Sequence, residues 1–204
     1  IAEIFSYSDF EWVVIDMEHG AFDLSQLPNI IRSIELNNKI CLVRVAKLDT
    51  SYINQILDCG ACGIILANCK SDTDLRKLIK NCTLPPVGIR GVGFSRANLF
   101  GKNFNSYQSD LVKPIFIAQI ENKDGYENLD KILSVNGLDS ILIGPYDLSA
   151  SLGLTADFEH PDFLSAKNTI LSHAREKHIA AGIHVVNPSS SEFKSRVDEG
   201  YRFL

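Results

Sequence analysis

The chain has 204 residues, 45% of them hydrophobic and 22% charged, with a net charge of −5. This is the composition of an ordinary globular protein with enough residues to bury a substantial core. No block of Lys and Arg is present to meet a phosphate backbone, no apolar run approaches the ~18 residues of a membrane span, and no charged-then-apolar leader is recognisable, so the expectation is a cytoplasmic protein without nucleic-acid or membrane partners.

Taken in chain order, the first predicted strand is WVVI (12–15), which runs into Asp16, Met17, Glu18, His19 and Gly20. An amphipathic helix opens at Asp23. The second strand, ICLVRV (40–45), carries Arg44 near its end, and another helix starts at Ser51. GIIL (63–66) is the third strand. The helix after it has Ser71 as N-cap and an acidic first turn. Residues 84–113 form a long connection with Pro85-Pro86 and four glycines, the kind of loop that usually carries function. PIFIAQI (114–120) leads into Glu121, a helical pattern opens at Gly125, and SILIG (140–144) leads into Pro145, Tyr146 and Asp147. A long helix over 161–178 and a strand over 181–186, with His184 in its middle, complete the pattern.

The strands are nearly continuous hydrophobic runs, as strands buried on both faces of a parallel sheet are. Alternation with helices and no linker predicts a single (βα)n domain over 1–204. Five cysteines, an odd number in apolar surroundings, predict reduced thiols. Cys59 and Cys62 have redox-motif spacing. They sit at what reads as a helix C-terminus capped by Gly60, however, the wrong end for lowering a thiol pKa, so packing is the expected role.

The ionisable groups within these apolar runs fall at carboxyl ends: Asp16, Glu18 and His19 after the first strand, Arg44 near the end of the second, Glu121 and Asp147 later. In parallel α/β sheets that edge carries the active site. Glu121 and Asp147 are hard oxygen ligands suited to Mg²⁺ or Mn²⁺, or else a hydrogen-bonded pair or helix caps. Arg44 in a hydrophobic strand is either a salt bridge, with Asp16 as its partner, or a clamp on a carboxylate or enolate oxygen. His19 beside Asp16 reads as a general base whose ring a carboxylate orients, or as a loop histidine. His160, His173 and His178 read as surface residues.

Taken together, VVIDMEHG, LVRV, GIRGVGFSRA, AQIEN and ILIGPYDLSASLG resemble the HpcH/HpaI family of metal-dependent 2-oxo-acid aldolases, over nearly the whole chain and in order. The resemblance implies a TIM (β/α)8 barrel of the phosphoenolpyruvate/pyruvate superfamily. It also implies cleavage of a 4-hydroxy-2-oxo acid to pyruvate and an aldehyde, or the reverse addition, through a pyruvate enolate stabilised by Mg²⁺, Mn²⁺ or Co²⁺. By position, Glu121 and Asp147 would bind the metal, His19 would be the base assisted by Asp16, and Arg44 would stabilise the enolate oxygen. Gln119 and Gly144 would bind substrate, as would backbone N–H groups at Tyr146 and Asp147. The Arg90–Arg96 stretch would lie over the site entrance. A homo-oligomer, hexameric in one form, is implied as well.

Three departures stand out. Tyr146 replaces the family's usual Ala, and Ala67-Asn68-Cys69 replaces a Pro followed by an apolar residue. The chain also reads as lacking the barrel's first strand and C-terminal elements, leaving six strands and a stub at Tyr201-Arg-Phe-Leu. The rival readings are a citramalyl- or malyl-CoA-type lyase, a Schiff-base aldolase using Lys47, and a barrel that binds a 2-oxo acid without turnover.

Overall fold

The computed structural model describes residues 1–108 and 113–204, so residues 109–112 of the long connection lie outside the described residues. In chain order the elements are α1 (Ala2–Ser6), β1 (Trp12–Asp16), α2 (Leu27–Glu35), β2 (Ile40–Val45), α3 (Thr50–Asp58), β3 (Gly63–Leu66), α4 (Asp72–Cys82) and α5 (Phe104–Gln108). After these come β4 (Ile115–Ile120), α6 (Lys123–Glu127), α7 (Leu129–Leu133), β5 (Ser140–Ile143), α8 (Pro145–Ser151), α9 (Pro161–Glu176), β6 (Ala180–Ile183) and α10 (Ser190–Glu199). The six strands belong to one sheet whose hydrogen-bonded neighbours follow chain order. The chain divides into two compact units, residues 1–65 with 77–115 and residues 66–76 with 116–204.

In the first unit β1 and β2 pair in parallel, with Asp16 opposite Arg44 in the register. α2 buries Leu27, Ile31 and Ile34, spaced four and three residues apart, which is one face of an amphipathic helix. β1 departs from expectation: Val13 and Val14 are only half-buried and line an apolar groove of about 500 Å³ with Phe5, Phe22 and Ile34. α3 starts on Asp49, whose side chain accepts the Tyr52 N–H, and Gly60 follows its end as expected. All five cysteines are free, and burial pushes the thiols of Cys41 and Cys82 in this unit, and Cys69 in the other, up to about 12.

In the second unit β4, β5 and β6 pair in parallel, and Gly182 makes an isolated parallel bridge to Phe203. The helix opening near Gly125 is two short helices. The Asn128 side chain between them donates to the carbonyls of Lys70 and Asp124, drawing the backbone out of helical geometry. His184 lies just beyond β6 and is exposed, not in the middle of a strand. No helix among the described residues is long and apolar enough to cross a membrane.

Candidate active site

The turn after β1 is organised by the Asp16 carboxylate. Its Oδ1 accepts the backbone N–H groups of Glu18 (3.0 Å) and His19 (3.3 Å) and the Nε–H of Arg44 (2.9 Å), while Oδ2 accepts from Arg44 Nη2 (2.5 Å). The Arg44 contact is bidentate, the geometry in which guanidinium and carboxylate match best. Burial alone would raise the Asp16 pKa. The hydrogen bonds from Arg44 and from the Glu18 N–H, with the Arg44 charge, outweigh it and hold the carboxyl below its ordinary range.

Asp16 therefore serves Arg44 and the turn, and among the described residues its hydrogen bond to His19 is made by the backbone N–H. The carboxylate that faces the ring is Glu18, with Oε2 at 3.9 Å from His19 Nε2 and 3.5 Å from Arg44 Nε. Glu18 is the residue the sequence reading left without a role. The His19 side chain is 71% exposed, open to a proton donor or acceptor in solution.

Both arginines of the Arg90–Arg96 stretch are anchored within this unit. Arg90 is buried and bonds Asp58 at 2.6 Å, and Arg96 bonds Glu35 and the Cys59 carbonyl (3.2 Å to the latter). These anchors end α2 and α3, where the chain is about to enter β2 and β3, so the stretch packs at the amino ends of those strands. Cations at helix C-termini are favoured there by the helix dipole and by the two carboxylates. Lys47 is exposed past β2.

The second unit holds the remaining residues. Glu121, at the carboxyl end of β4, is only 5% exposed. Its Oε1 accepts the Asn68 N–H at 2.5 Å and its Oε2 accepts from Gln119 Nε2 at 2.5 Å. Gln119 lies two residues earlier on the same face of the strand, as expected. Its Oε1 is buried without a hydrogen-bond partner among the described residues. Gly144 follows β5, and a Cβ there would stand 2.6 Å from Glu121 Oε2 and 2.9 Å from Glu121 Cβ. Only glycine lets this backbone pass so close to the carboxylate.

Gly144 is also the N-cap residue of α8, where no side chain caps the free N–H groups, and Asp147 sits exposed in the first turn and is not the cap. The Tyr146 ring is half-exposed and packs edge-on against Phe158, 5.1 Å between centroids. A cavity of about 410 Å³ bordered by Pro145 and Phe158 is lined by polar and apolar groups in similar measure, and there Lys167 pairs with Glu199 and Arg196 with Glu192.

The donor set at Glu121 fits a hard divalent cation: a buried carboxylate steadied by two N–H donors, with an unsatisfied amide oxygen beside it. Mg²⁺ sites commonly use one or two protein carboxylates and leave the other positions to water and substrate. Among the described residues no group of three or more His, Cys, Asp or Glu side chains is placed to enclose a metal ion.

The sequence model of the HpcH/HpaI aldolase/citrate lyase family matches residues 1–203. The chain belongs to this family. A hydroxypyruvate/pyruvate aldolase of Roseobacter denitrificans is 33% identical over 205 residues, covering 100% of this chain and 79% of that protein. A 2-keto-3-deoxy-L-rhamnonate aldolase of Klebsiella pneumoniae is 32% identical, covering 94% of this chain and 73% of that one. Among solved structures, an HpcH/HpaI aldolase/citrate lyase family protein of Burkholderia cenocepacia is similar with a TM-score of 0.92 at 27% identity, over 99% of this chain and 80% of that chain. The family's members are named for reactions that make or break a carbon–carbon bond.

Proposed function

We propose that this protein is a divalent-metal-dependent lyase that cleaves a 4-hydroxy-2-oxo acid to pyruvate and an aldehyde and catalyses the reverse addition. The scaffold proposed for it is a single (β/α)8 barrel domain, working as a homo-oligomer in the cytoplasm. Family membership, aldolase relatives and a near-superimposable neighbour support the reading. The observation that carries it is Glu121, a buried carboxylate at a strand's carboxyl end with Gln119 Oε1 left unsatisfied beside it.

Glu121 and Asp147 would hold the cation, Mg²⁺, Mn²⁺ or Co²⁺. When bound, the cation supplies Lewis acidity that stabilises charge on the 2-oxo oxygen. Arg44, held by Asp16, puts a fixed guanidinium to the same charge. The uncapped N–H groups in the first turn of α8 bind the substrate carboxylate beside Gly144. His19 takes a proton from the pyruvate methyl in the synthetic direction, and from the C4 hydroxyl in cleavage, where the C3–C4 electron pair stays with the pyruvate enolate.

Exchange of the pyruvate methyl protons in D₂O, followed by NMR, tests this without knowing the aldehyde. Exchange that appears with Mg²⁺, Mn²⁺ or Co²⁺ and stops with EDTA is expected. Exchange that survives EDTA would instead indicate a Schiff base, and no exchange under any condition would leave the CoA-ester or non-catalytic readings in its place.

Glu18 takes the orienting role in this scheme. Glu18→Ala is expected to slow exchange about 10- to 100-fold by releasing the His19 ring, less than the roughly 10²–10⁴-fold that a positioned acid–base group itself contributes. The affinity for Mn²⁺ should stay at the parent value. A variant that exchanges at the parent rate would return the orienting role to another group.

A further inference from the structure

We infer that Asn68 is the positioning residue for Glu121, acting through a left-handed backbone turn that its own side chain locks. β3 ends at Leu66, and Asn68 follows with φ +50°. Only glycine and, less readily, Asn and Asp adopt that region without substantial cost. The turn aims successive N–H groups at the end of β4: Asn68 N–H to Glu121 Oε1 at 2.5 Å and Cys69 N–H to the Gln119 carbonyl at 3.2 Å.

The side chain closes the device. Asn68 Oδ1 accepts from Asn122 Nδ2 at 2.7 Å. Asn122 is itself fixed, because its Oδ1 accepts the Gly125 N–H at 2.7 Å as the N-cap of α6. The residue after the candidate ligand thus holds the residue whose backbone holds the ligand. With Gln119 on the other oxygen, the Glu121 carboxylate is fixed in rotation. Asn68 is one of the positions where this chain departs from the family pattern it resembles, and the amide pair with Asn122 gives that departure a physical use.

The inference rests on the reading that Glu121 holds a divalent cation, and the experiment separates the two. Mn²⁺ binding to the full chain is measured by the EPR signal of free Mn²⁺, for the parent protein, Asn68→Gly, Asn68→Ala and Asn68→Val. Glycine keeps the left-handed turn but loses the bond to Asn122, so it is expected to bind up to about threefold more weakly than the parent. Valine cannot adopt it, and a 10- to 100-fold weaker Kd is expected, as for other groups that orient a metal ligand. Alanine should fall between, about fivefold weaker, and serves where the valine variant fails to fold. Valine and alanine variants that bind like the parent would overturn the inference, and so would a glycine variant as weak as valine, which would shift the role from the backbone to a side-chain contact. A parent protein that binds no Mn²⁺ would remove the Glu121 reading itself, and this inference with it.

Discussion

Glu121→Gln is expected to abolish measurable divalent-cation binding and to lower metal-dependent pyruvate exchange by roughly 10³-fold or more, the scale on which removing a principal electrostatic stabiliser acts. Glutamine preserves size and one carbonyl oxygen, so the Asn68 N–H keeps an acceptor, and a flip of the Gln119 amide lets its Oε1 accept from the new –NH₂. The variant differs from the parent chiefly in charge. Removing a charge from a site that is 5% exposed relieves desolvation, so the fold should tolerate the change, with a melting temperature equal to or above that of the parent. Loss of Mn²⁺ binding together with an intact melt would place the cation at Glu121. Parent-like Mn²⁺ affinity would move it elsewhere, and the roles given to Gln119 and Asp147 would go with it.

What was readable in the sequence was whatever short-range pattern controls. Six apolar runs became six strands, because a segment buried in a parallel sheet must be hydrophobic along its length. Asp16, Arg44, Gln119 and Glu121 were recognisable because charged and amide groups placed late in such runs need a reason to be there.

What escaped the reading depends on partners distant in sequence. The strand register sets Asp16 opposite Arg44, so Asp16 is taken and Glu18 is left to face His19. No local rule chooses between two carboxylates two residues apart. Residues 90–96, whose pattern resembles a loop over the site entrance, carry two arginines that are held by Asp58 and by Glu35, 32 and 61 residues away. The break at Asn128 follows from its bond to the Lys70 carbonyl, 58 residues back. Gly144 was recognisable as part of GPYD, but its steric reason, the Glu121 side chain against its backbone, appears only in three dimensions.

Gly144→Ala should therefore be the small substitution that disturbs the proposed ligand Glu121 most directly. The backbone at Gly144 is ordinary, φ −94° and ψ 95°, so alanine meets no conformational penalty and the whole effect is contact. The new Cβ would lie 2.6 Å from Glu121 Oε2, 2.9 Å from Glu121 Cβ and 3.1 Å from Gln119 Nε2. Rotating the carboxylate away relieves the first contact but not the second, since a Cβ moves only with its backbone. That backbone is tied down next door, where the Gly144 N–H donates to the Ile120 carbonyl at 3.3 Å. Overpacking of this kind typically destabilises by about 1–3 kcal/mol. The functional loss should be larger than the stability loss, because the atoms that give way are the proposed ligand and the amide that steadies it. Mn²⁺ affinity is expected to fall about 100-fold, the upper end for disturbing a ligand's orientation. Exchange should recover in part at saturating Mn²⁺ if only the carboxylate's position is lost. It should stay low if the substrate carboxylate also depends on this backbone, as the uncapped turn of α8 suggests. A Gly144→Ala protein with parent affinity would show that Glu121 can yield at no cost, and the carboxylate would then be a packing group and not a metal ligand.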